Sequence, residues 1–248
     1  MTCVNIFFSS LTYYFRDDIL HLKITINNKM RSNAAMPRYK KSAEMRKKIL
    51  STTVQVVLDT GYLNLSIKEI ADRLDVPRSL IYYYFDNKDA IMHELYQMQY
   101  QTLDALASQV LPDNVEPLVQ VIFKYIIFRR QMVQNPLFSD YIMYHQPYAA
   151  MSSTEAIQNQ ADYYSDTYRA FQYYGLPTDG SKYQLHVLMV ESVAQALRQG
   201  EASGQLQWTE WDSIEHFAEH TVMVTFDLTK NQLKPILKQA FELADQVT

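Results

Sequence analysis

Arg78, Ser79, Tyr82 and Tyr83 fall on one face of a short segment whose opposite face carries Ile81, Tyr84 and Phe85. A guanidinium at the start of a helix can pair with guanine N7 and O6, or with a phosphate. Tyrosines offer hydroxyls to phosphates and ring surface to thymine methyl groups. Lys88 stands beside the free amides expected at the start of the next helix, which makes an anion site. This is chemistry directed at double-stranded DNA. A second pattern points elsewhere. His216-Phe217-Ala218-Glu219-His220 matches H-x-x-E-H, and its two histidines at i and i+4 could share a zinc ion. No distal carboxylate partner is evident, and five-residue matches arise often by chance. A zinc-dependent hydrolase using His216, Glu219 and His220 is therefore kept as an alternative, beside a helical protein-interaction scaffold. There is no G-x-S-x-G, no P-loop and no G-x-G-x-x-G, so the chain reads as a non-enzyme with no metal or cofactor.

The DNA-directed face needs elements that hold it outward, and residues 61–89 supply them. Ser66 with Glu69 three residues later forms an S-x-x-E helix start. Ile67, Ile70, Ala71 and Leu74 then make one apolar stripe. Asp75-Val76-Pro77 breaks the pattern, and Pro77 suits the first position of a second helix. Asp86 or Asn87 can cap a third helix beginning near Lys88. Two short helices joined by a tight turn are the layout of a helix-turn-helix, which places its second helix in the major groove.

The run from Ile49 to Ala90 resembles the DNA-binding domain of the TetR family of bacterial transcriptional regulators. The matching elements are I-L-x-x-T-x-x-V-x-L-D-T-G-Y, then S-I-K-E-I-A-D-R-L-D-V, then L-I-Y-Y-Y-F-D-N-K-D-A. Two positions depart from the family pattern. Asp75 stands where a turn glycine is usual, and aspartate tolerates left-handed geometry. Pro77 stands where a Ser or Thr cap is usual, which alters the start of the recognition helix and one base or phosphate contact there.

Composition agrees with an all-α protein. The 248 residues include only five glycines and eight prolines, too few for the many turns of an all-β chain. Apolar residues recur with helical periodicity, and hydrophobic types make up 48% of the chain, enough for a buried core. The single cysteine, Cys3, rules out a disulfide framework and suits a reducing, cytoplasmic setting. Charge is uneven. Between Arg38 and Lys48 six basic residues, among them Arg38, Lys40 and Lys41, face one acidic residue, whereas from Tyr96 onward nine basic residues face seventeen acidic ones. With Ser66 and Lys88, the basic run is expected to grip phosphates while the acidic remainder stays clear of DNA. Residues 1–35 carry no helical stripe, no signal-peptide pattern and no apolar run long enough to span a membrane. They are expected to be a mobile extension or a misassigned start, with Met36 as the true first residue.

The expected organisation is thus residues 1–35 as that extension, 36–90 as the helix-turn-helix domain and 91–248 as a larger helical domain. Beyond residue 89, helices are expected near 89–110, 116–134, 137–144, 153–174, 180–202, 209–229 and 232–247. Leu185, Leu188, Met189, Ser192 and Ala196 form one stripe, and Ile214, Phe217, Thr221, Val224 and Leu228 another. The resemblance implies that two late helices pair with their copies in a homodimer. Two-fold symmetry also suits a palindromic operator with half-sites about 34–36 Å apart. The resemblance further implies an effector pocket in the aromatic-rich second domain. Phe123, Tyr141, Tyr144, His145 and Tyr168 are its candidate lining residues, and an aromatic or amphipathic small molecule is the expected ligand.

Overall fold

A computed structural model describes residues 38–133, 135–144 and 165–247, with backbone alone for 38–41 and 132–133. The expected extension over residues 1–35, Met36 and His145 lie outside the described residues. All regular structure among the described residues is helical. No described helix is long and apolar enough to cross a membrane.

The chain forms two compact units. The first contains the described residues up to Thr102 together with Gln131–Tyr141. Helix α1 (Arg38–Thr60) ends at Gly61, whose φ of +81° is open to glycine and costly for a residue with a Cβ. A 3-10 turn (Tyr62–Asn64) leads into α2 (Ile67–Leu74), then α3 (Arg78–Tyr84) and α4 (Lys88–Val110). Helix α1 packs on α2, and α2 on α3. The helices close over Ile49, Val56, Ile70, Ala71, Ile81, Phe85, Ile91, Met92 and Leu95, all buried. Helix α6 (Ser139–Tyr144) carries Tyr141 into this unit, where its ring meets Tyr62 edge-on at 5.4 Å.

The second unit comprises Leu103–Arg130 and the chain from Ile142 onward. It contains α5 (Pro117–Phe128), α7 (Ser165–Tyr173), α8 (Ser181–Ala202), α9 (Glu210–Ala218) and α10 (Lys230–Ala244). Helix α5 is its centre. It packs against α10 and α7 and buries Leu118, Val119, Ile122, Phe123, Ile126 and Ile127. Polar caps start the helices where the sequence provides them. Glu116 accepts from the Val119 amide, and Thr209 and Thr229 each form a reciprocal capping box. Two π turns interrupt the regular pattern, Arg129–Val133 after α5 and Glu219–Met223 after α9.

Candidate nucleic-acid interface

Local chemistry at each junction sets the direction of α3. Ser66 Oγ accepts the Glu69 amide at 3.1 Å, so the first half of the expected capping box is present. The carboxylate of Glu69 accepts Arg73 Nε at 2.9 Å. Arg73 also donates to Asp59 at 2.6 Å, tying α2 to α1. Asp75 ends α2 with φ +53°, the left-handed position, and the Val76 amide closes the turn on the Ala71 carbonyl at 3.1 Å. Aspartate therefore does at this corner what a glycine would do. Pro77 is the extended cap residue, one position earlier than the first helical position expected for it, and α3 begins at Arg78. Its missing amide hydrogen costs nothing there, because a cap amide has no intrahelical acceptor.

From this start, Ile81 is the buried anchor of α3, and Phe85 closes its end with its own ring buried. Arg78 and Ser79 are exposed at the N-terminal turn. Tyr82 and Tyr83 are 54% and 74% exposed, values that are unusual for large aromatic rings. The structure thus brings Arg78, Ser79, Tyr82 and Tyr83 together on one outward face of one helix.

The end of α3 is latched from behind. Arg46 on α1 donates through Nε to Glu94 at 2.9 Å and through Nη2 to the second oxygen of the same carboxylate. Its Nη1 donates to the Tyr84 carbonyl at 3.2 Å, and its guanidinium lies 4.4 Å from the Phe85 ring centre. Arg46 belongs to the basic run yet is committed to the fold. The run's remaining described lysines, Lys47 and Lys48, are exposed. The side chains of Arg38, Lys40 and Lys41 lie outside the described residues.

At the next junction Asn87 Oδ1 accepts the Ala90 amide at 2.8 Å and caps α4. Lys88 is partly buried. Its ammonium donates to the Tyr62 carbonyl at 3.4 Å and lies 4.7 Å from that ring's centre. The Tyr62 hydroxyl donates to Asp89 at 2.8 Å, and burial, with Asp89 beside it, pushes this phenol well above its usual range. Lys88 thus braces the junction.

Residues 49–95 match the family model described as bacterial regulatory proteins, tetR family. The chain carries a TetR-family DNA-binding domain. Over 149 residues it is 24% identical to the HTH-type transcriptional repressor KstR of Mycobacterium tuberculosis, covering 60% of this chain and 66% of that protein. Over 97 residues it is 26% identical to KstR of Mycolicibacterium smegmatis, covering 39% and 48%. The match therefore spans just under two thirds of the first relative and about half of the second. The crystal structure of RolR in complex with resorcinol superposes with a TM-score of 0.57 at 13% identity, covering 82% of this chain and 96% of that one, a likeness of fold. These TetR-family relatives are regulators of transcription rather than enzymes.

The sequence-derived effector residues are dispersed. Tyr141 belongs to the first unit, against Tyr62 and Tyr96. Phe123 is fully buried in the second unit's core. Tyr144 is 64% exposed, and Tyr168 is 42% exposed with its ring edge-on to Tyr183 at 6.2 Å. Among the described residues, no group of three or more His, Cys, Asp or Glu is placed to hold a metal. Of the H-x-x-E-H residues, Glu219 is paired with Lys230 at 2.6 Å and His216 is stacked on Trp208 at 4.3 Å. His220 Nδ1 is 2.8 Å from the His216 carbonyl oxygen.

The two stripes read as self-association faces differ. On α8, Leu185, Leu188, Ser192 and Ala196 are exposed, with Leu185 at 56% and Leu188 at 48%. On α9 and the turns that follow it, Ile214, Phe217 and Thr221 are buried while Val224 is 62% exposed, so that stripe does not lie on one face. The cause is the π turn at Glu219–Met223, whose wider turn rotates everything after it. Two polar groups that sequence reasoning missed are buried in this unit. His186 Nδ1 is 2.7 Å from Thr225 Oγ1, with Nε2 unpartnered, and burial lowers its pKa to about 4. The other is Arg198.

Proposed function

We propose that this chain is a homodimeric transcriptional repressor, released from a palindromic DNA operator by a small-molecule effector. The outward face of α3 carries the reading: Arg78, Ser79, Tyr82 and Tyr83 exposed together on the second helix of a TetR-family domain. Arg78 at the helix start would meet a base edge, and the tyrosines would meet phosphates and thymine methyls. Ser66, Lys88, Lys48 and the N-terminal basic residues Arg38, Lys40 and Lys41 would hold phosphates on either side. The protein would work in the cytoplasm.

The exposed apolar face of α8, with Leu185 and Leu188, supports self-association, because a two-fold pairing would cover it, and two-fold symmetry suits a palindromic operator. The aromatic content of the second unit supports an apolar effector, and RolR, of similar fold, binds resorcinol. An effector that fits one spacing of the two reading heads better than another would shift the population away from the DNA-binding form.

Fluorescence anisotropy on labelled DNA from upstream of the protein's own gene tests the reading, as a salt series against scrambled competitor. Binding that resists competitor and weakens steeply with salt is the expected result. Weak binding to every DNA, without salt dependence, would remove it.

A further inference from the structure

Arg198 on α8 is 7% exposed, and among the described residues it forms no ion pair. Its Nη2 donates to Gln195 Oε1 at 2.7 Å, one turn back on the same helix, and its Nε is buried without a partner. Gln195 is itself buried and uses its amide nitrogen on the Met143 carbonyl at 2.9 Å. The neighbouring cation is already satisfied: Arg129 donates to both oxygens of Glu201, each at 2.9 Å. No carboxylate pairs with Arg198 among the described residues. A buried guanidinium whose Nε lacks a partner is costly, since removing a charge from water is offset only by an opposite charge or a full set of acceptors.

Aromatic side chains lie beside it. Tyr125 stacks on Phe217 with centroids 3.6 Å apart and planes 9° from parallel. Burial pushes the Tyr125 phenol up to about 12, and Arg198 is the first of the charges acting against that rise. The helices carrying Tyr125 and Phe217 each run into a π turn, a geometry found often at functional sites.

We propose that Arg198 and Gln195 form the recognition point for the carboxylate of a small organic acid whose apolar body lies against the Tyr125–Phe217 stack. The planar guanidinium offers Nε–H and a parallel Nη–H, which a carboxylate accepts in bidentate fashion. This rests on the effector reading above and narrows it from an aromatic or amphipathic molecule to an anionic one.

The test is thermal unfolding and titration of the protein without DNA, using benzoate and hexanoate against the matched amides, benzamide and hexanamide. The acids are expected to raise the melting temperature and the amides are not. Arg198→Lys keeps the charge without the fork and is expected to weaken acid binding roughly 10- to 100-fold, as loss of charged hydrogen bonds does. Arg198→Met is expected to abolish the shift while melting no lower than the parent without ligand, because it removes an unpaired buried charge. Equal response to acids and amides overturns the proposal on the parent protein alone, whatever the variants do. So does an Arg198→Met protein that still responds to the acids. Because no DNA is present, failure here leaves the DNA-binding reading untouched, and failure of operator binding leaves this one untouched.

Discussion

Replacing Arg46 by Met separates two roles that a basic residue in this position could have. In the structure its side chain is 43% exposed and that of Glu94 26% exposed, so solvent screens the ion pair to about 0.5–1 kcal/mol. The hydrogen bond to the Tyr84 carbonyl adds about 1 kcal/mol. The guanidinium over Phe85 adds about 0.5 kcal/mol at a partly exposed site. Together they stabilise the end of the recognition helix by roughly 2 kcal/mol, equivalent to a roughly 30-fold change in local opening. The Phe85 amide, bonded to the Ile81 carbonyl at 3.0 Å, reports that opening. Arg46→Met should therefore speed its hydrogen exchange roughly 30-fold, provided closing is fast relative to exchange. DNA affinity should fall through loosening of α3, with the slope of log affinity against log salt unchanged. Lys48→Ala is the control, because Lys48 is exposed. It should leave exchange alone and reduce the salt slope of the dimer by about 1.8, about 0.9 for each of its two copies. Unchanged exchange in Arg46→Met, with a salt slope lower by about two phosphates per dimer, would refute the latch and make Arg46 a DNA contact.

Other consequences follow from single sites. Asp75 holds φ +53°, so Asp75→Ala should be less stable than Asp75→Gly by about 1 kcal/mol in denaturant unfolding, and equal stability would mean the turn relaxes. His186 is buried neutral, with its pKa lowered from 6.5 to about 4. The unfolded chain therefore takes up the proton first as pH falls. Stability should drop by up to about 3 kcal/mol between pH 6.5 and 4, a slope that His186→Gln should lack. Leu188→Glu on the exposed face of α8 should convert a dimer to a monomer in sedimentation, because like charges would meet across the two-fold axis. A variant that stays dimeric places the interface elsewhere.

What could be read in advance were the features set by neighbours in sequence. The Ser66 cap, the Asp75 corner, the Asn87 cap and the outward tyrosines all depend on spacings of one to four residues, and the structure contains them. Arg46 was read as part of a phosphate-gripping run because its partner, Glu94, lies 48 residues away and no local pattern announces the pair. The face of Ile214, Phe217 and Thr221 was projected onward to Val224 with a constant helical period, and the π turn at Glu219–Met223 breaks that period. No local pattern marks Arg198 and His186 as buried. Burial of such groups depends on which helix packs over them, and composition is silent on that. The aromatic residues nominated for the effector were chosen by type, and type does not distinguish Phe123 in the core from Tyr144 at the surface.

The most direct test of the central claim is base-by-base specificity of Arg78→Ala. Anisotropy should be measured on an operator and on its set of single base-pair substitutions. If α3 reads DNA, this change costs about 1–3 kcal/mol per half-site and flattens discrimination at one symmetry-related pair of positions, leaving the others as they were. A uniform loss across every sequence, with discrimination intact, would make Arg78 a phosphate contact. No loss at all would contradict the assignment of α3 as the reading helix.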